Sequence, residues 1–274
     1  MSWAFINDDF IPEEKALIHF KDLAIQRGYG IFDFFKVLND QPCFLQQHLQ
    51  RFFYSAQQMH LTASKTAQEL ENIINELISK NGLGNSGIRI TLTGGYSPDG
   101  YSLTQPNLII SQSTFSPPTQ DQVREGISLI TYPHQRQLPS VKTIDYLMAV
   151  WLQPTLKTAG ATDVLYQWND HVTECPRSNF FIVTKNKTIV TPALNILNGI
   201  TRERVLNLAA QKFEIAERNI TINEVLDARE AFITSTTKNI LPVAYVNGSK
   251  IGDGKFTFSL ELLEQLQQQP AISN

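Results

Sequence analysis

The chain has 274 residues, 42% hydrophobic and 18% charged, with a formal net charge of -3, an ordinary globular composition that offers no basic surface for nucleic acid. No apolar run approaches the roughly 20 residues of a membrane helix, and the N-terminus lacks the basic start and apolar core of a secretory signal, so a cytoplasmic location is expected. Two cysteines, Cys43 and Cys175, lie far apart and outside any C-x-x-C arrangement, which argues against a disulfide framework or a zinc site.

The length suits two domains, because cores usually stop growing beyond roughly 250 residues. Trp3 to Asp9 reads as a strand and turn, and Ile31 to Val37 as an apolar strand. Asn39-Asp40 and Pro42 form the turn to Phe44-Leu45, the expected second arm of a hairpin. Apolar residues at helical spacing predict helices over His48–Met59 and Ala67–Lys80, the second stopped by Asn81-Gly82. Ile88–Thr93 and Asn107–Ser111 read as strands around a long loop, Gly94–Gln105, a candidate functional loop. The Ser- and Pro-rich stretch from Ser116 is the best linker, giving residues 1–115, a linker over 116–125, and a larger domain over 126–274. In that second part strands are expected at Gly126–Tyr132, Asp163–Trp168, Asn179–Thr184 and Ala231–Thr234, and helices at Ile144–Thr158, Arg202–Phe213 and Leu260–Gln268. Mixing without regular βαβ alternation favours an α+β fold.

Several stretches carry residue types suited to a phosphorylated aldehyde cofactor. Lys142, in Ser140-Val-Lys-Thr-Ile-Asp-Tyr, lies between a Pro-containing loop and an apolar helix start, where partial desolvation would lower its pKa and favour Schiff-base chemistry. The same position also fits a lysine snorkelling from a helix start. Leu197-Asn-Gly-Ile-Thr-Arg opens a helix, whose free N–H groups and dipole suit phosphate, although capping gives the same pattern. Thr234-Ser-Thr-Thr offers hydroxyls and amides after a strand, and Arg51 a charged contact. Val172-Thr-Glu-Cys-Pro-Arg-Ser-Asn-Phe-Phe-Ile-Val places Glu174 and Arg177 just before a strand, where both a plain hairpin and a ligand-facing turn fit. There is no G-x-G-x-x-G after a strand, no G-K-[ST] phosphate loop, no G-x-S-x-G elbow and no H-E-x-x-H, so metal and nucleotide chemistry are disfavoured.

Taken in order, Arg27-Gly-Tyr-Gly-Ile-Phe-Asp, His48-Leu-Gln-Arg, Lys142-Thr-Ile-Asp-Tyr, Thr173-Glu-Cys-Pro-Arg-Ser-Asn-Phe-Phe, Ile189-Val-Thr-Pro, Gly199-Ile-Thr-Arg and Thr234-Ser-Thr-Thr followed by Leu241-Pro-Val resemble the class IV, fold-type IV aminotransferases that use pyridoxal 5′-phosphate. This group includes D-amino-acid and branched-chain aminotransferases and aminodeoxychorismate lyase. The resemblance implies a small N-terminal α/β domain, a larger C-terminal pseudo-barrel domain and a homodimer. It also implies Lys142 as the Schiff-base lysine and proton carrier, and Glu174 as the partner of the pyridine nitrogen. Arg51, Ile200, Thr201, Thr236 and Thr237 would hold the phosphate, Leu197 would pack on the ring, and Tyr146 would bond its phenolic oxygen.

Departures from the family pattern bear on the substrate. Asp145 stands where asparagine is usual, and Pro176 and Arg177 replace small residues. The arginine and histidine with which D-amino-acid aminotransferases bind the substrate carboxylate give way to Asp99 and Tyr101. Arg27 and Arg177 are the candidate replacements, with Phe32 and Tyr101 completing the substrate-binding set. Two guanidiniums need carboxylate partners from the protein or the ligand, so the expected reaction is transamination between a D-amino acid and a 2-oxo acid such as 2-oxoglutarate. A branched-chain L-amino-acid aminotransferase and an aminodeoxychorismate lyase are the alternatives, and a cofactor-binding protein without catalysis is a third class.

Overall fold

The computed structural model describes residues 2–269. It divides into two compact units, one of residues 2–116 with Val141–Asp145 and one of Pro117–Ser140 with Tyr146–Gln269. Among the described residues no helix is long and apolar enough to cross a membrane.

The first unit contains β1 (Trp3–Ile6), β2 (Asp9–Pro12), α1 (Leu23–Arg27), β3 (Gly30–Leu38), β4 (Gln41–Pro42), α2 (Leu45–Gln58), α3 (Ala67–Asn81), β5 (Ser86–Thr93) and β6 (Leu108–Ser113). Its strands pair antiparallel in the order β2-β1-β6-β5-β3-β4. Alternation along β3 sends Ile31, Phe35 and Val37 into a core completed by Leu49 and Phe52 of α2 and Leu70, Ile74 and Leu77 of α3. Each such fully buried side chain stabilises the unit by about 1.5–3 kcal/mol. Asn39 and Asp40 both take left-handed φ (50° and 60°), the conformation a tight hairpin turn demands. The returning arm ends at Pro42, earlier than expected. Phe44-Leu45 belongs instead to the helix start, because Leu45, Leu49 and Phe52 extend the helical apolar spacing one turn upstream. Helix α3 begins with a reciprocal Thr66–Glu69 capping box and ends at Gly82 with φ 56°.

The second unit contains α4 (Gln120–Glu125), β7 (Ile127–Pro133), α5 (Leu147–Trp151), α6 (Gln153–Ala159), β8 (Asp163–Trp168), β9 (His171–Val172), β10 (Glu174–Cys175), β11 (Ser178–Val183) and β12 (Ile189–Thr191). It continues with α7 (Ile200–Ala209), β13 (Ile215–Glu217), β14 (Ile220–Thr221), α8 (Ile222–Leu226), β15 (Glu230–Ser235), β16 (Asn239–Val246), β17 (Ser249–Lys250) and α9 (Thr257–Gln268). The sheet order is β13-β12-β11-β15-β16-β7-β8-β9-β14, with β10 on β11 and β17 on β16. Because β10 pairs with β11 and also packs against β8, the sheet curls back on itself as a pseudo-barrel of α+β class. Strand β11 is buried on both faces: Phe180 and Ile182 enter one core, while Phe181 and Val183 enter another beneath α7 and α9.

Three segments differ from the expected outline. Residues 120–125, expected as linker, form α4, started by a Thr119–Gln122 capping box. The expected helix over Ile144–Thr158 is two, α5 and α6, with Pro154 near the start of α6, where a proline is compatible with helix. Val141–Asp145 goes with the first unit, added to the edge of β3.

Candidate active site

The first unit positions Lys142. Phe32 N donates to Lys142 O and Ile144 N to Gly30 O, both at 3.0 Å, so Val141–Asp145 runs as an added strand beside the start of β3. Lys142 N also donates to Ser55 Oγ of α2 at 3.3 Å. This docking requires a glycine at position 30, where a Cβ would meet Leu92 O at 2.8 Å and Ile144 Cδ1 at 3.1 Å. The lysine is half-buried, as a partly desolvated amine would be, and its Nζ lies 4.6 Å from the Phe32 ring centroid. The Arg89 guanidinium lies 3.8 Å from the same ring centroid. Phe32 is thus a buried platform for two cationic side chains.

Arg51 is held by a carboxylate that sequence reasoning passed over. Its Nε and Nη2 donate to Asp33 Oδ2 and Oδ1, each at 2.8 Å, and His48 Nδ1 shares a hydrogen bond with Asp33 Oδ1 at 2.7 Å. Burial would raise the Asp33 carboxyl, but the Arg51 and His48 charges and hydrogen bonds override it and hold it well below the usual carboxylate range. Burial lowers His48, only partly opposed by Asp33. The signal was in the sequence: by strand alternation Asp33 shares the face of Ile31, Phe35 and Val37, and a carboxylate there needs a partner from the helix covering it.

The second unit fixes Glu174. The carboxylate, on β10, is buried, and its Oε1 accepts from Arg136 Nη1 at 3.0 Å. Its Oε2 accepts from Leu197 N at 2.9 Å and Asn179 Nδ2 at 3.3 Å. Asn179 Nδ2 also donates to Leu197 O at 2.7 Å, tying the 197 loop to β11. Directly beyond lies Gly199, where a Cβ would come 2.1 Å from Asn179 Oδ1, so only glycine lets the chain turn there into α7. Helix α7 starts without a side-chain cap, leaving the amides of buried Ile200 and Thr201 at an uncapped N-terminus, the arrangement an anion favours. Thr234 pairs with Asn179 in the β11–β15 ladder, so the turn bearing half-buried Thr236 and Thr237 begins from the same place. The buried Thr234 Oγ1 has no hydrogen-bond partner among the described residues. Arg136 was missed because nothing local in Gln135-Arg-Gln-Leu-Pro announces the ion pair; Asn179 stood in the Thr173–Phe181 stretch but was given no role of its own.

The remaining expected residues lie nearer the surface. Pro176 and Arg177 are the central pair of the β10–β11 hairpin, closed by Cys175 opposite Ser178, and Arg177 is exposed. Arg27 is exposed at the end of α1, its Nη1 donating to Gln26 O at 2.9 Å. Tyr101 is 85% exposed. Asp99 organises its own loop, accepting from Tyr101 N, Ser102 N, Ser102 Oγ and Ser97 Oγ at 2.7–2.9 Å, which holds its carboxyl well below the ordinary range. Tyr146, half-buried just before α5, lies close enough to Tyr166 to raise its phenol further, beyond what burial and Asp163 do.

The residues of the second unit fit a pyridoxal phosphate: a buried carboxylate held by fixed donors suits a ring N–H, and an uncapped helix start entered through an obligatory glycine suits a phosphate. The first unit by itself offers a half-buried lysine amine braced on a strand edge. The pseudo-barrel with a separate antiparallel α/β unit is the fold-type IV architecture of pyridoxal-phosphate enzymes. The family model described as amino-transferase class IV matches residues 30–246, and the chain belongs to that family. It is 28% identical to a D-alanine aminotransferase of Staphylococcus haemolyticus, over 93% of each chain. With a D-alanine aminotransferase of Bacillus licheniformis the identity is 29%, over 90% of this chain and 89% of the other. Among solved structures, the branched-chain amino acid aminotransferase of Escherichia coli superimposes with TM-score 0.85 at 21% identity, covering 96% of this chain and 92% of that one. A Legionella pneumophila protein provisionally named 4-amino-4-deoxychorismate lyase gives TM-score 0.84 at 26% identity, covering 94% and 97%. The protein is a pyridoxal-phosphate-dependent enzyme of the class IV aminotransferases.

Proposed function

We propose that the protein transfers an amino group between a D-amino acid and a 2-oxo acid such as 2-oxoglutarate. The observation that carries this reading is the buried Glu174 carboxylate held by Arg136, Asn179 and Leu197 N, joined to near full-length similarity to D-alanine aminotransferases. Bound pyridoxal phosphate supplies an electron sink for the electrons released when a proton leaves the substrate α-carbon. Glu174 accepts the hydrogen bond of the protonated ring nitrogen and so keeps that sink strong. Lys142 is the amine that anchors the cofactor covalently and then moves the proton at the substrate α-carbon. The Ile200 and Thr201 amides, the Thr236–Thr237 turn and Arg51 hold the phosphate, with Leu197 against the ring and Tyr146 at its phenolic oxygen.

Arg177 and Arg27 replace the missing carboxylate trap, with Phe32 and Tyr101 lining the substrate. A D-amino-acid reading fits two cations better than a branched-chain pocket, which asks for apolar walls. The exposed apolar side chains Leu147, Val150 and Trp151 on α5 and Leu17, Phe20 and Ile25 before and within α1 suit coverage by a second copy, in line with a homodimer. Arg177→Ala tests the substrate role: the KM values for D-glutamate and 2-oxoglutarate rise at least about tenfold, the loss expected for a charged contact, whereas unchanged KM values remove Arg177 from the substrate site.

A further inference from the structure

The backbone around Lys142 is kinked, and one of its hydrogen bonds leaves the sheet. Thr143 N donates to Val141 O at 3.0 Å, an i→i+2 γ-turn centred on Lys142. Phe32 N donates to Lys142 O and Ile144 N to Gly30 O, both at 3.0 Å, so β3 holds the turn on one side. The amide of Lys142 points elsewhere: it donates to Ser55 Oγ of α2 at 3.3 Å, within the same unit. Of these four bonds only this one ends on a side chain. Val141 enters the core of the first unit, whereas the Lys142 amine lies on the Phe32 side of β3, with Nζ 4.6 Å from that ring centroid.

Ser55 is out of keeping with its own helix. It is fully buried, on the α2 face that Leu49, Phe52 and Ala56 press into the core. Alanine is the better helix former and would fill that face without a hydroxyl to satisfy. A serine inside a helix commonly returns its hydroxyl to the carbonyl one turn back, but here the hydroxyl oxygen serves a segment 87 positions away. Removing that acceptor strips the Lys142 amide of its bond to α2, and a backbone N–H short of a partner beside a packed core favours another path of the chain. Ser55 is therefore placed to hold the kink, and the kink sets where the Lys142 Cα sits against β3.

We propose that Ser55 is a positioning residue for the Lys142 amine. Its hydroxyl locks the backbone of the γ-turn, so the side chain starts from one place both when its amine holds the cofactor and when it moves the substrate proton. The inference rests on the reading of Lys142 as the reactive amine, and Ser55 acts through Lys142 alone. A displacement of about 1 Å at a reacting group costs about 10²-fold in rate, so one hydrogen bond on the lysine's own amide is enough to govern turnover.

The test compares wild-type, Ser55→Ala and Ser55→Thr holoenzymes. The readouts are kcat and KM with whichever of D-alanine and L-leucine reacts faster, the melting temperature, and hydrogen exchange of the 141–145 amides by mass spectrometry. Ser55→Ala removes the acceptor and keeps a good helix former. Its kcat falls by about 10–100-fold with KM changed by less than about twofold, the 141–145 amides exchange at least about tenfold faster, and the melting temperature drops little. Ser55→Thr keeps the hydroxyl but adds a methyl to a filled core, so it melts lower while its kcat stays within about threefold of wild type. Wild-type kcat in Ser55→Ala, unchanged exchange at 141–145, or losses of kcat that follow the melting temperature across both variants show a purely structural serine and overturn the proposal. Lys142→Ala is scored separately. Turnover that survives it defeats the reading of Lys142, whereas a silent Lys142→Ala beside a fully active Ser55→Ala defeats the tether alone.

Discussion

Arg136 Nη1 donates to Glu174 Oε1 at 3.0 Å, a nearly buried ion pair on the carboxylate proposed to meet the cofactor's ring nitrogen. Arg136→Met removes that partner, while Leu197 N and Asn179 Nδ2 still donate to the carboxylate. Removing one partner of a buried pair costs about 3–5 kcal/mol, and the two surviving donors put this variant near the lower end. Denaturant unfolding of the variant measures the loss. Glu174→Gln keeps the shape and removes the charge, and its kcat falls by about 10²–10³-fold, the cost of a lost preorganised charge contact, with a smaller change in KM.

Asp33 makes the stability depend on acid. Its folded carboxyl lies below its unfolded value of about 3.9, so between the two the unfolded chain binds more protons. The stabilising contribution is therefore complete above about pH 5 and is lost as pH falls through the unfolded value toward the folded one. Asp33→Asn lowers stability at neutral pH by about 3 kcal/mol or more, since it leaves Arg51 without its bidentate partner, and it flattens the acid limb. Parallel denaturant titrations at neutral and acid pH separate the two effects. Arg51 loosened in this way also weakens retention of the phosphate, read by dialysis against phosphate buffer.

Gly30→Ala tests whether the strand edge positions the lysine. The added methyl meets Leu92 O and Ile144 Cδ1, an overpacking that costs about 1–3 kcal/mol. Because Ile144 N hydrogen-bonds to Gly30 O, the strain falls on the segment that carries Lys142. The expected outcome is a folded protein with a kcat lowered more than its melting temperature alone explains, while Gly87→Ala, which crowds the Phe34 ring in the same sheet, affects stability without that drop.

The parts of the fold that followed from the sequence are those where one local pattern decides. Helices α2 and α3 were set by 3.6-residue spacing, and Asp163–Trp168 by a β-rich run before the Asn169-Asp170 turn, both of whose residues take left-handed φ (49° and 62°). Strand β16 was passed over because Pro242 speaks against a strand interior; it lies opposite Phe232, just before pairing with β7 begins at Val243. In the site, Glu174, Lys142 and Gly199 stood in ordered motifs. Arg136 did not: it is 38 positions from Glu174. Such pairs exist only through the curled sheet, and no spacing along the chain encodes them. Asp33 is the intermediate case, readable from strand alternation once its helix partner is known.

Half-reactions of the purified holoenzyme with single amino acids, followed by the absorbance of the bound cofactor, test the central claim most directly, with Lys142→Ala as the control that must stay silent. D-alanine and D-glutamate convert the cofactor to its amino form at least about tenfold faster than L-leucine, a discrimination of about 1.4 kcal/mol or more. A faster reaction with L-leucine, or formation of 4-aminobenzoate from aminodeoxychorismate with no amino transfer from any D-amino acid, contradicts the account.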